Sequence, residues 1–158
     1  MGLDMYLTKK TDVKNWGFRE EEKEGLFKVV VKRGNKKVEG VKEERIAEII
    51  EDIMYWRKAN AIHIWFVKNV QEGEDDCKEY YVSHEKLKEL RDIIRKVLKN
   101  RSLAPELLPT GSGFFFGDTS YNEYYFEDLK KTDKVFTELL RDERHNKYRG
   151  EFYYQSSW

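Results

Sequence analysis

Cysteine and proline are scarce in this chain. Its 158 residues include one Cys and two Pro. The lone Cys77 excludes an intrachain disulfide, so a reducing, cytoplasmic setting is expected. Long apolar runs are missing too. No stretch approaches the roughly 20 apolar residues of a spanning helix, and no membrane partner is expected. The start, Met1-Gly2-Leu3-Asp4, has neither a signal peptide's apolar run nor the Ser or Thr that myristoylation wants at position 6, where Tyr6 stands. A surplus of one charge is the next absence. Lys and Arg number 30, and so do Asp and Glu. General nucleic-acid binding, which feeds on a cationic surplus, is therefore not expected.

Metal and nucleophile patterns are absent as well. The three histidines, His63, His84 and His145, lack ligand spacing, and the acidic stretch Glu72–Asp76 lacks the calcium-loop order of ligands. Cys77 and His84 flank a short strand pattern and suggest no activated thiolate. No catalytic residue, metal or cofactor follows from these patterns.

Charge and aromatic rings are plentiful. Charged residues make up 38% and aromatics 15%, the latter as 4 Trp, 10 Tyr and 9 Phe. A mean hydropathy of −0.84 alone would suit a disordered chain. The rings argue for a packed core beneath a charged skin.

Periodicity divides the chain into elements. Leu3, Met5 and Leu7 alternate with Asp4 and Tyr6, a strand with one apolar face. Residues 9–25 read as a charged loop with Trp16 and Phe18 as isolated anchors. Leu26–Val31 reads as a strand turning at Gly34-Asn35 into Lys37–Val41. Glu44–Trp56 fits a helix through Ile46, Ile49, Ile50 and Ile53, with a strand as the alternative. Arg57–Val70 is apolar nearly all round and predicts a buried central helix. A short strand covers Glu79–Val82. Ser83 then caps a helix reaching Lys99, with Leu87, Leu90, Ile94, Val97 and Leu98 as its stripe. Pro105 starts a short turn. Thr110–Gly117 reads as a glycine loop leading into a strand of three phenylalanines. Asn122–Asp142 predicts an amphipathic helix, and Glu151–Trp158 a final strand. No repeat appears. The expectation is a single α+β domain over 1–158, an antiparallel sheet packed against about three helices.

Three segments carry residue types suited to a pocket. On the central helix, Asn60 and His63 share a surface with Arg57 one turn earlier. His63 reads either as pocket-lining or as a core histidine with satisfied partners. Thr110 and Ser112 lie among glycines that allow close backbone approach, though Phe114 stands where a phosphate loop needs its Lys and Ser or Thr. The final stretch holds Tyr153, Tyr154, Ser156 and Trp158, either stacking faces for a planar ligand or an edge strand closing the sheet.

Six pieces taken together resemble one family. They are Met1–Leu7 (MGLDMYL), Tyr55–Val70 (YWRKANAIHIWFVKNV), Asp75–Ser83 (DDCKEYYVS), Glu106–Gly117 (ELLPTGSGFFFG), Tyr124–Leu129 (YYFEDL) and Tyr153–Trp158 (YYQSSW). The family is a functionally uncharacterised group of small bacteriophage and prophage proteins. Some members carry a sugar-kinase name, which this chain does not support, having no nucleotide-kinase loop. The resemblance implies a phage-type accessory protein in the cytoplasm of the host cell. By analogy, such proteins counter host defence by blocking a protein or sequestering a nucleotide signal.

These observations lead to one expectation: binding, without turnover, of a small polar, nucleotide-like ligand. Asp4, Tyr6, Trp56, Arg57, Asn60, His63, Thr110, Ser112, Tyr154 and Ser156 are the candidate ligand-binding residues. Trp56 and Tyr154 would stack, and Arg57 would pair with phosphate. One alternative is a protein-interaction inhibitor of a host protein, using Trp16 and Phe18. Another is a small hydrolase or transferase with His63 as base, working with Asp4 or a loop acid. A homo-oligomer is compatible with all three.

Overall fold

The computed structural model describes residues 2–14, 27–145 and 150–158. The alternation at the start of the chain builds β1 (Asp4–Asp12), whose Met5, Leu7 and Lys9 turn inward. It runs past the expected end at Leu7, so residues 9–12 are strand rather than loop. The rest of that loop, from residue 15 with Trp16 and Phe18, lies outside the described residues.

Its partner is β4 (Glu48–Arg57), antiparallel from Asp4↔Arg57 to Asp12↔Glu48 with an irregularity between Leu7 and Thr8. Glu44–Trp56 is therefore not a helix. The isoleucine spacing that suggested one has no buried stripe behind it: Ile49 and Ile50 are exposed. The strand signal sits at the segment's end, where Trp56 is buried and its neighbours Tyr55 and Arg57 are exposed. A tight turn at Gly34, with φ +62°, joins the small hairpin β2 (Lys32–Arg33) and β3 (Lys36–Lys37). Residues 27–31 precede it without strand structure.

The sheet is completed by β5 (Tyr80–Val82) and β6 (Glu151–Ser157), in the antiparallel order β4-β1-β6-β5. The final strand is thus interior and not an edge. It pairs with β1 from Asp4↔Ser157 to Lys10↔Glu151.

Four helices accompany the sheet among the described residues. The first, α1 (Asn60–Asn69), buries six of its ten residues, as its all-round apolarity predicts. Ser83 caps α2 (His84–Lys99) by accepting from the Lys86 N–H at 3.2 Å, and Leu87, Leu90, Ile94 and Val97 are buried. Pro105 sits in the first turn of the short α3 (Ala104–Leu107). In α4 (Glu123–His145), Phe126, Leu129, Thr132 and Phe136 are buried. Arg95 ties α2 to α4 through the Asp133 carboxylate at 2.6 Å. The chain is α+β, as expected.

The phenylalanine run is not a strand. Phe116 N–H closes a turn onto the Gly113 carbonyl at 3.1 Å, and Phe114 is 95% exposed. The other side of the sheet carries the exposed rings of Tyr6, Tyr55 and Tyr81.

Phe136 is fully buried and meets Trp56 edge-on at 6.3 Å. Phe136→Ala is expected to cost about 3–5 kcal/mol, read as a lowered urea midpoint with an unchanged slope.

Candidate functional site

Only Lys58 and Ala59 separate β4 from α1. The chain makes this reversal by unusual backbone geometry. Lys58 has φ 58°, in the left-handed region. Ala59, at φ −77° and ψ 66°, is the centre of an inverse γ-turn closed by the Asn60 N–H on the Lys58 carbonyl at 2.9 Å. The Lys58 N–H donates to Leu3 at 2.8 Å, which pins the turn to the start of the chain. The Lys58 stem passes between two glycines. A Cβ at Gly2 would lie 3.1 Å from its Cε, and one at Gly117 3.1 Å from its Cβ.

Asn60 then fastens a distant loop to this turn. Its Nδ2 donates to the carbonyls of Phe116 at 3.0 Å and Asp118 at 2.9 Å, and its Oδ1 accepts from the Gly111 N–H at 3.2 Å. Thr110 Oγ1 closes the loop by donating to the Thr119 carbonyl at 2.7 Å. Asp118 accepts from Ser120 and Asn122, and the Ser120 hydroxyl beside it holds its carboxyl below the usual range.

Between this turn, the loop and the first half of α4 lies a cavity of about 450 Å³. That volume falls in the range of about 300–1,000 Å³ typical of small-molecule sites. Arg57, Lys58 and Lys131 bring positive charge to it, and Asp118, Glu127 and Asp128 bring negative charge. Arg57 is more than half exposed and reaches Asp4 only at 3.9 Å. Tyr124 lines the cavity while 78% exposed. Tyr125 is the opposite case: its hydroxyl donates to the Leu108 carbonyl at 2.9 Å, and burial pushes its phenol pKa well up. Asp128 is half-buried, its carboxylate accepts no hydrogen bond from any described residue, and burial pushes its pKa up against the opposing pull of Lys131.

Of the expected site residues, Arg57, Asn60 and Thr110 line this cavity. Asn60 lines it as a fastener, because its amide is already engaged with the loop. Ser112 is exposed and does not line it. Trp56 is buried; its Nε1–H donates to Thr132 Oγ1 at 2.8 Å and its ring meets Phe66 and Phe136. Tyr154 is fully buried and stacked on Phe66 at 4.0 Å. Neither ring has a face to offer a ligand, which corrects both stacking roles. Ser156 is buried.

His63 is a core histidine. It is fully buried, with Nδ1 at 2.8 Å from the Tyr154 hydroxyl and Nε2 at 3.0 Å from Asp75 Oδ2. An ionised carboxylate only accepts, so Nε2 carries a proton and donates to Asp75, while Nδ1 shares a hydrogen bond with the Tyr154 hydroxyl. Burial raises the Tyr154 phenol well above its ordinary pKa and keeps that hydroxyl protonated. Asp75 also accepts from the Trp158 indole at 3.1 Å. Of the two acids expected beside His63, the loop acid Asp75 reaches it and Asp4 does not. Asp4 accepts from the Tyr55 hydroxyl and faces Arg57, away from His63. Strand alternation puts Asp4 and Tyr6 on the side of β1 opposite the buried Met5 and Leu7.

The sequence left room for a local cationic pocket around Arg57 and Lys58, and both line this cavity; sequence reasoning missed Tyr124, Asp128 and Lys131. These three recur at helical spacing beside the buried Leu129 and Thr132, a signal that was available. No helix of the described residues is long and apolar enough to cross a membrane, and they contain no group of three or more metal-ligating side chains. No family model matches the chain, and no curated protein or solved structure matches it.

Two outcomes test this geometry. Asn60→Ala removes three hydrogen bonds and is expected to cost roughly 2–4 kcal/mol, with faster amide exchange at Gly111. The second concerns Asp128. Its raised pKa means the folded chain holds that proton more tightly than the unfolded one, so ionisation costs stability as pH climbs above the ordinary 3.8. Asp128→Asn is expected to melt at a higher temperature than the parent at pH 7, with the gap closing as pH falls toward 3.8.

Proposed function

We propose that this chain binds a small polar, nucleotide-like ligand in the cavity between β4, α1 and α4, and holds it without turnover. The observation that carries the reading is the cavity itself. It has the volume of a small-molecule site, with Arg57 and Lys58 on the β4–α1 turn and Tyr124 on α4 among its lining residues. Arg57 suits a phosphate, since a guanidinium forms paired hydrogen bonds to its oxygens. Lys58 adds a second cation that makes no ion pair with any described residue. Tyr124 takes the stacking role first expected of Trp56 and Tyr154.

The non-catalytic part of the reading rests on His63, whose two ring nitrogens are engaged in the core by Tyr154 and Asp75. Its place in a phage-type accessory protein, sequestering a nucleotide signal to blunt host defence, rests on the family resemblance alone. The competing reading as an inhibitor of a host protein relied on Trp16 and Phe18, which lie outside the described residues.

Calorimetric titration with mononucleotides and cyclic nucleotides tests the proposal. Binding is expected for at least one, and Arg57→Ala is expected to weaken it about 10- to 100-fold, the loss of one charged hydrogen-bond partner. No heat from any of the panel on a folded sample overturns it.

A further inference from the structure

Three carboxylates line the cavity, and they differ in what they have left to give. Asp118 is engaged by Ser120 and Asn122. Glu127 is exposed and remains in water. Asp128 is half-buried and accepts no hydrogen bond from any described residue. Lys131, three residues on, pulls on it electrostatically. A half-buried carboxylate that lines the cavity and accepts nothing from the described residues is left to accept from a ligand there, and such a group favours ligands that bring donors to it.

Resting on the binding reading above, we infer that Asp128 is the specificity residue of the cavity and accepts paired N–H donors from a guanine-type base, while Arg57 and Lys58 take the phosphate. The choice of base follows from donor geometry. Two oxygens of an ionised carboxylate accept side by side from two adjacent N–H groups. The N1–H and 2-amino group of guanine supply that pair. Adenine presents its N1 lone pair next to its amino group, which sets an acceptor against an acceptor. Hypoxanthine keeps N1–H and lacks the second donor. Uracil offers a single N–H between two carbonyls. The cavity's balance of cations and anions also fits a ligand with a phosphate and a donor-rich edge better than it fits a polyanion.

The test is titration of GMP, IMP and AMP into the parent protein and into Asp128→Asn. GMP is expected to bind the parent about 10- to 100-fold more tightly than IMP, with AMP weaker still, as for loss of one hydrogen bond to a charged acceptor. Asp128→Asn is expected to bring GMP and IMP within about threefold of each other, a gap near RT ln 3. The variant's melting temperature, expected to rise, confirms that it is folded, and the parent's GMP-to-IMP ratio is read without any variant. Equal GMP and IMP binding by the parent, or a preference that survives in Asp128→Asn, overturns the role of Asp128 and leaves the nucleotide reading standing. Absence of binding by all three, and by the wider panel, overturns both.

Discussion

The buried amide of Asn60 is the joint on which this structure turns. It belongs to the first turn of α1, yet its three hydrogen bonds go to the backbone of a loop some fifty residues away. A carboxamide is well matched to the task, with two donors and an acceptor in one plane. A bare loop carbonyl beneath the surface would carry a desolvation cost, and the amide removes that cost for Phe116 and Asp118. Once the loop is fastened, it forms one wall of the cavity and β4, α1 and α4 form the others. Lys58 is then held in its left-handed conformation between Gly2 and Gly117, so the strain at the turn is supported from both sides.

A second polar device runs through the core. Tyr154, His63, Asp75 and Trp158 form one line of hydrogen bonds joining β6, α1 and the acidic loop before β5. A histidine with no exposed surface is tolerable because each ring nitrogen has a partner of the right kind. The rings of Phe116 and Tyr154 lie against it at 5.0 and 6.3 Å. Between them, the Asn60 joint and the His63 line make the region around α1 polar in composition and still well packed.

Much of the fold was legible where local chemistry and burial agree. Ser83, followed by Leu87, Leu90, Ile94 and Val97, announces α2 by its cap and its stripe. The alternation of Leu3, Met5 and Leu7 announces β1. Of the segments that were misread, two show a local pattern meeting a different long-range partner. The isoleucines of 46–53 are spaced for a helix, and pairing with β1 makes most of them a strand. Phe114–Phe116 has strong strand composition, but the Phe116 carbonyl goes to Asn60 and that of Phe115 to the Leu3 N–H just ahead of β1, and no ladder forms. The candidate site was legible in its types and less so in its roles. Arg57, Asn60 and Thr110 were found at the cavity, but which side chains are already engaged depends on contacts between segments far apart in sequence. Asp128 escaped for that reason: nothing local marks a carboxylate as unfilled.

The central position of β6 has a consequence for how the chain comes to be folded. Met5 pairs with Ser156 on one side and with Trp56 on the other. During synthesis β1 meets β4 early, and the two can form a ladder while the rest is still being made. Its other side stays an open edge until β6 has left the ribosome, and β5 has no place in the sheet before then. The sheet closes only once β6 is available, so the growing chain must protect that edge from its neighbours until then.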